Sequence, residues 1–81
     1  MPSISLDNGR TLIVSSYHRS SDAYLDGIAV VRSADGDEIA HFNIGGRIAA
    51  AAGAAAIADF EAAIVPKAVD CAAAYGYRAA A

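Results

Sequence analysis

Alanine dominates the C-terminal part of this chain, and that composition limits what the segment can fold into more than any other feature does. Seventeen of the residues from 47 to 81 are alanine. Alanine is the best helix former because its side chain loses no rotamer entropy and carries no polar group that competes with the backbone. Larger residues recur at the three- and four-residue intervals of a core-facing helical stripe: Ile57, Phe60, Ile64, Ala68, Cys71 and Tyr75. We therefore predict that residues 45–76 are helical and that residues 77–81 form a frayed tail.

Pro66 interrupts this helical segment. A proline inside a helix removes one backbone hydrogen bond and clashes with the carbonyl four residues earlier, at a cost of about 3 kcal/mol, whereas the first turn tolerates it. We expect either one long kinked helix or two consecutive helices that separate near residues 63–65, with Pro66 opening the second. Gly76 is the expected C′ residue, because glycine readily adopts the left-handed conformation that ends many helices.

Residues 1–44 have the pattern of antiparallel β-structure. Stretches rich in β-branched residues are separated by two turn sequences, residues 7–9 and 33–37, which contain the Asp, Asn and Gly typical of hairpins. A third connection falls at residues 18–22, and Asp26-Gly27 indicates a turn or a bulge inside a long strand. The predicted fold is α+β: a two-layer sandwich in which a three- or four-stranded antiparallel sheet is followed by helix packed on one face.

The last predicted strand has a clear alternation. Phe42 and Ile44 are predicted to face the helix, and His41 and Asn43 the other side, because successive strand side chains point to opposite faces. We place the change from strand to helix at the dipeptide 45–46, which is Gly-Gly. The apolar stripe from Ile57 to Tyr75 then covers the sheet.

Length and charge limit the classes of function. Eighty-one residues make one small domain, and the net charge is −3, with five acidic residues against one basic residue between positions 20 and 46. Nucleic-acid binding needs clustered Lys and Arg, which six scattered residues do not supply. The single cysteine, the lack of a signal-peptide pattern and a longest uncharged apolar run of 11 residues, against ~20 for a bilayer span, predict a cytoplasmic protein without a membrane segment.

Catalytic and metal-binding combinations are weak. His18, Asp22 and Cys71 suggest an oriented imidazole that activates a thiolate. However, Cys71 lies on the predicted apolar stripe, where a free cysteine behaves as a small buried hydrophobe. His18 and His41 fall short of the three or four ligands of a zinc site. We expect no enzyme activity, no metal and no cofactor. A small enzyme that uses His18 and Cys71 is the third of the hypotheses for function, after the two given below.

Two groups of residues suit protein recognition. Tyrosine and arginine near the 18–24 connection are types enriched at interface hot spots, and an acidic hairpin can steer a basic partner. The predicted partner-binding residues are Tyr17, His18, Arg19, Asp22, Tyr24, Asp35, Asp37 and Glu38. The second group is a row of small residues at a spacing of four, through which two helices can approach closely. The predicted dimer face is Gly46, Ala50, Ala54 and Ala58, with Ala62 continuing the row.

In size and architecture alone, the chain resembles small sheet-plus-helix proteins encoded by phages and mobile elements, some of which are anti-CRISPR inhibitors of host defence. No diagnostic residue carries this resemblance, which implies a protein that occludes a functional surface of a larger host complex. The leading hypothesis is a non-enzymatic protein-interaction module, with an unidentified protein as its partner. The first alternative is a homodimeric structural or scaffold domain that uses the small-residue row.

Overall fold

Four strands form one antiparallel sheet whose spatial order is the order of the sequence. The computed structural model describes residues 1–18 and 23–81. The strands are β1 (Ser3–Ser5), β2 (Thr11–His18), β3 (Tyr24–Arg32) and β4 (Glu38–Ala49). The β3–β4 turn lies at the predicted residues 33–37. The register also shifts at Asp26-Gly27, but the unpaired residues there are Gly46 and Ile44 of β4, so this dipeptide lies opposite a bulge in β4 and does not itself form one. The predicted α+β fold with a two-layer arrangement is confirmed.

Two consecutive helices, α1 (Ala54–Ala63) and α2 (Val65–Ala74), pack on one face of the sheet. Pro66 lies in the first turn of α2, as predicted. Gly76, at φ +89°, ends α2 in a Schellman motif: its N–H donates to the carbonyl of Ala73 at 3.0 Å, and the N–H of Tyr77 donates to that of Ala72 at 2.9 Å. The sequence left open a kink or a break, and the structure shows a break.

The core lies between the sheet and the two helices. Phe42 and Ile44 pack against it, and His41 and Asn43 are exposed on the other side of β4, as predicted. The fully or nearly fully buried apolar residues are Leu6, Leu12, Val14, Ala29, Val31, Ile64, Ala68 and Ala72.

The predicted apolar stripe is correct from Phe60 to Ala68. Ile57, before it, is half-buried and does not pack against the core, and the end of the stripe is wrong. Cys71 is only half-buried and Tyr75 is 70% exposed, although the Tyr75 ring lies 5.0 Å from that of Phe42. The buried position in the last turn of α2 is Ala72. The small side chain of alanine at this buried position lets α2 lie close to the sheet.

The predicted change from strand to helix at residues 45–46 is wrong. β4 continues to Ala49, residues 50–52 form one 3₁₀ turn, and α1 begins only at Ala54. Residues 47–49 pair with β3, and Gly45 and Gly46 take φ angles of +77° and +75° inside an irregular stretch of the strand. Cross-strand pairing therefore outweighs the helix propensity of the alanines that follow.

Glycine allows the helical layer to approach the sheet closely. A Cβ atom at Gly27 would overlap the Cδ1 atom of Ile64 and lie 2.9 Å from the carbonyl oxygen of Gly45, and one at Gly46 would lie 3.2 Å from a ring carbon of Phe60. Phe60 and Ile64 thus approach the sheet backbone closely at Gly27 and Gly46.

The predicted frayed tail is also wrong. The N–H of Asp7 donates to the carbonyl of Arg78 at 2.9 Å, and the N–H of Ala80 donates to that of Ser5 at 3.0 Å. The Tyr77 ring is half-buried beneath the guanidinium of Arg10, 5.3 Å from the ring centroid. The tail is ordered because it pairs with backbone groups at the outer edge of the sheet.

Candidate functional site

The surface of interest is the face of the sheet opposite the helices, which we call the open face. Ser16 donates a hydrogen bond to Glu61 of α1 at 2.9 Å, so Ser16 points to the helical layer. Its neighbours Ser15 and Tyr17 therefore point to the open face, as does every second residue of the paired strands. In the described part of the chain, both helices lie on the other side.

The open face has an apolar centre and a polar rim. Ile13 of β2 pairs with Val30 of β3, and Ile28 follows two residues before Val30. These three side chains are only half-buried. The two edge strands carry exposed polar side chains on the same face: Ser3 and Ser5 on β1, His41 and Asn43 on β4.

At one end of the open face lies a group that we call the Arg47 cluster, which consists of Arg47, Asp26 and Tyr24. The Nε–H of Arg47 donates to Oδ1 of Asp26 at 3.0 Å, and its guanidinium carbon lies 5.8 Å from the centroid of the Tyr24 ring. The Asp26 side chain is 6% exposed, whereas that of Arg47 is 58% exposed. Asp26 is the one ion-pair partner of Arg47 among residues 1–18 and 23–81.

This geometry prepares Arg47 to bind an anion. Asp26 engages the Nε side of the guanidinium, and the guanidinium carbon lies over the Tyr24 ring, so the side chain loses less freedom on binding than a free arginine does. The two terminal nitrogens form the end-on fork that matches a carboxylate. The sequence alone did not single out Arg47 or Asp26, because only the β3–β4 register places them side by side.

At the other end of the sheet lies the acidic hairpin, which consists of the turn 33–37 and Glu38. The turn is held by the N–H of Asp37 bonded to Oγ of Ser33 at 3.2 Å, and by Nη1 of Arg32 bonded to the carbonyl of Gly36 at 2.9 Å. Asp35, Asp37 and Glu38 are all exposed. Oε2 of Glu38 lies 3.5 Å from Nδ1 of His41, a residue of the open face.

The predicted partner-binding residues fall into two groups that the fold separates. Tyr17, His18 and Tyr24 lie at the Arg47 end, and the acidic hairpin lies at the opposite end of β3, about 26 Å away at 3.3 Å per residue. Arg19 and Asp22 lie outside the described residues. The two groups therefore do not form one compact patch. They lie at opposite ends of the sheet, with the open face between them.

The predicted dimer face is wrong as a continuous helical row. Gly46 belongs to β4 and lies under Phe60, and Ala50 belongs to the 3₁₀ turn, because strand pairing extends past residue 46. Ala54 and Ala58 are in α1 and exposed, so only this part of the row exists on a helix.

His18 and Cys71 have different surroundings. Cys71 lies one turn before Tyr75, which stacks on Phe42, and Phe42 shares a cross-strand row with Val14. His18 ends β2, about 13 Å further along that strand. The small enzyme that uses these two residues stays an alternative without further support.

Within residues 1–18 and 23–81, no three side chains among His, Cys, Asp and Glu are grouped so that they could hold a metal ion. Neither helix of the described chain has the length and apolar character that a membrane crossing requires.

Comparisons with known proteins add no assignment. No protein-family model matches the chain, and no curated protein or solved structure is significantly similar to it. The functional proposal therefore rests on the chemistry and geometry of the chain's own residues.

Proposed function

We propose that this chain is a non-enzymatic protein-interaction module that binds its partner through the open face of the sheet. The observation that carries the proposal is the distribution of side chains there, an apolar centre of Ile13, Ile28 and Val30 inside a polar rim. Protein interfaces have the same anatomy, a desolvated apolar core surrounded by polar residues that remain near water.

The different charges at the two ends of the open face determine the orientation in which a partner binds. The acidic hairpin attracts a basic surface, and the Arg47 cluster provides a prepared arginine for an acidic group. A partner that spans the open face meets both ends in one orientation only. Inhibition of a larger host complex, which the resemblance in size and architecture implies, is one form of this function and stays a prediction.

The test is affinity capture with matched variants. The full chain is immobilised as wild type, V30K and A58K, exposed to extract of the source organism, and the retained proteins are quantified by mass spectrometry. Val30 lies at the centre of the open face, and Ala58 lies on the exposed side of α1. We expect V30K to lose the retained partner and A58K to keep it, with circular dichroism confirming that both variants fold.

Two results would argue against the proposal. Equal retention by V30K and wild type would exclude the open face as the binding surface. Loss of the partner in A58K but not in V30K would favour the alternative homodimeric or scaffold domain that uses the alanines of α1.

A further inference from the structure

The open face carries opposite charges at the two ends of a single strand. Glu38 begins β4 and Arg47 lies near its end, with the side chain of each exposed by half or more. Glu38 pairs with Arg32 and Arg47 pairs with Asp26. These partners are six residues apart on β3, which corresponds to about 20 Å of strand. The apolar centre lies between them, since Asn43 of β4 pairs with Ile28 and His41 pairs with Val30.

A twofold axis makes this arrangement complementary to itself. Two copies are placed with their open faces together. The twofold axis then lies in the plane between these faces and runs perpendicular to the strands. Each β4 then crosses the β4 of the second copy in the antiparallel direction, and each Glu38 meets an Arg47. The axis passes midway between the two charges, beside Ala29 of β3 and one residue from Ile28, so the two Ile28 side chains lie next to each other on either side of it.

The dimensions fit this arrangement. The molecule measures 37 × 22 × 21 Å, so a face that spans its two larger dimensions covers at most roughly 800 Å². A standard protein–protein interface takes about 800 Å² from each partner. Two sheets that pack face to face lie about 10 Å apart with nearly aligned strands, a spacing that side chains such as Ile and Val fill.

We propose that the occupant of the open face is a second copy of this chain, arranged as a face-to-face twofold dimer with reciprocal Glu38–Arg47 ion pairs at its ends. In such an isologous interface every contact occurs twice. The Nε of each Arg47 stays on Asp26 of its own chain, and the terminal nitrogens take the carboxylate of Glu38 from the second copy. This inference rests on the proposed function and names its partner.

The principal experiment is a charge exchange followed by analytical ultracentrifugation. In E38R, two arginines meet at each end of the dimer, and in R47E two glutamates meet. We expect each variant alone to raise the dimer dissociation constant at least about tenfold, because like charges placed together in an interface cost affinity. In an equimolar mixture, both ends of the mixed dimer pair opposite charges again, so we expect dimerisation to return.

In R47E the new glutamate lies beside Asp26, and two neighbouring carboxylates can disturb folding. A second pair of variants therefore tests the same dimer without R47E. Because Ile28 lies next to the proposed axis, I28E and I28K should each be monomeric, and their mixture should form a mixed dimer. A58K, on the exposed side of α1, is the matched control and should dimerise as wild type does.

The outcomes separate the two proposals. A wild-type chain that stays monomeric at several hundred micromolar overturns the second copy as occupant, and the capture experiment with V30K still tests the open face. Mixtures that fail to restore the dimer while E38R and I28K each disrupt it overturn the twofold register. A dimer that neither E38R nor I28K weakens overturns the open face as the contact surface of the dimer.

Discussion

Arg47 and Asp26 are 21 positions apart in the chain, yet the Nε–H of Arg47 donates to the Asp26 carboxylate at 3.0 Å. The pair lies directly across β3 and β4, beyond the glycines at which the sequence pattern predicts that the strand ends. It therefore serves two roles: it holds the last residues of β4 on the sheet, and it positions an arginine at the end of the open face.

The first prediction concerns the stability that this pair supplies. Arg47→Ala removes a charge-assisted hydrogen bond to a buried carboxylate, so we expect the free energy of unfolding to fall by about 1–3 kcal/mol. Urea unfolding followed by circular dichroism measures the change. Lys67→Ala is the control, because it removes the same charge from an exposed site on α2 and should change stability by less than about 0.5 kcal/mol. Equal effects of the two variants would contradict the role of the pair.

The second prediction concerns the close approach of the helices to the sheet. Gly27→Ala places a Cβ atom against Cδ1 of Ile64 and near the carbonyl of Gly45, so we expect a loss of about 1–3 kcal/mol from overpacking. Ile64→Val removes the obstructing methyl and alone costs about 0.5–1.5 kcal/mol. We expect the double variant to lose less stability than the sum of the two single losses, by at least about 0.5 kcal/mol. Strict additivity would show that the contact does not determine the packing.

The third prediction concerns a buried carboxylate of the helical layer. Glu61 is 8% exposed and accepts a hydrogen bond from Ser16. Ser16→Ala removes that donor, and we expect a loss of about 1–2 kcal/mol, since a buried charged acceptor is costly to leave without it. The neighbouring Ser15→Ala, on the open face, is the matched control with an expected change under about 0.5 kcal/mol. A larger effect at Ser15 than at Ser16 would reverse the assignment of the two faces.

The fourth prediction concerns the C-terminal tail. Deletion of residues 78–81 removes the carbonyl that accepts the N–H of Asp7, so the amide of Asp7 should exchange with solvent faster by about tenfold or more. Hydrogen exchange followed by nuclear magnetic resonance measures this rate residue by residue. The amide of Val14 is an internal reference, because it bonds to Pro2 and not to the tail. Unchanged exchange at Asp7 would mean that the tail frays in solution, as its composition alone predicts.

The β3–β4 turn, the break between the two helices and the C-terminal end of α2 were predictable because local chemistry decides them. The Asp- and Gly-rich sequence at 33–37 forms the β3–β4 turn, Pro66 separates two helices, and Gly76 ends the second. In each case the residue itself restricts φ or lacks a donor, so no distant contact is needed. The alternation of Phe42 and His41 was predictable for the same reason, since the strand period of two is a local property.

The candidate site was predictable only in part. The acidic hairpin and Tyr24 are where the sequence places them, on turns and strand ends. The open face as a continuous surface was not foreseen, because its apolar residues come from different strands and meet only through the register of the sheet. The prediction of the small-residue row failed for a related reason: Gly46 lies in β4 and Ala50 in the 3₁₀ turn, so neither belongs to a helix.

Taken by itself, the sequence determined the class of fold, the order of its elements and the points at which the chain must turn. Only the tertiary structure decided how far β4 extends, whether the tail docks, which helical residue is buried and which charges meet. Local propensities differ by less than about 1 kcal/mol per residue, so strand pairing outweighs them where the two compete. For residues 47–49 that competition ended in favour of the strand, and it placed Arg47 on the open face.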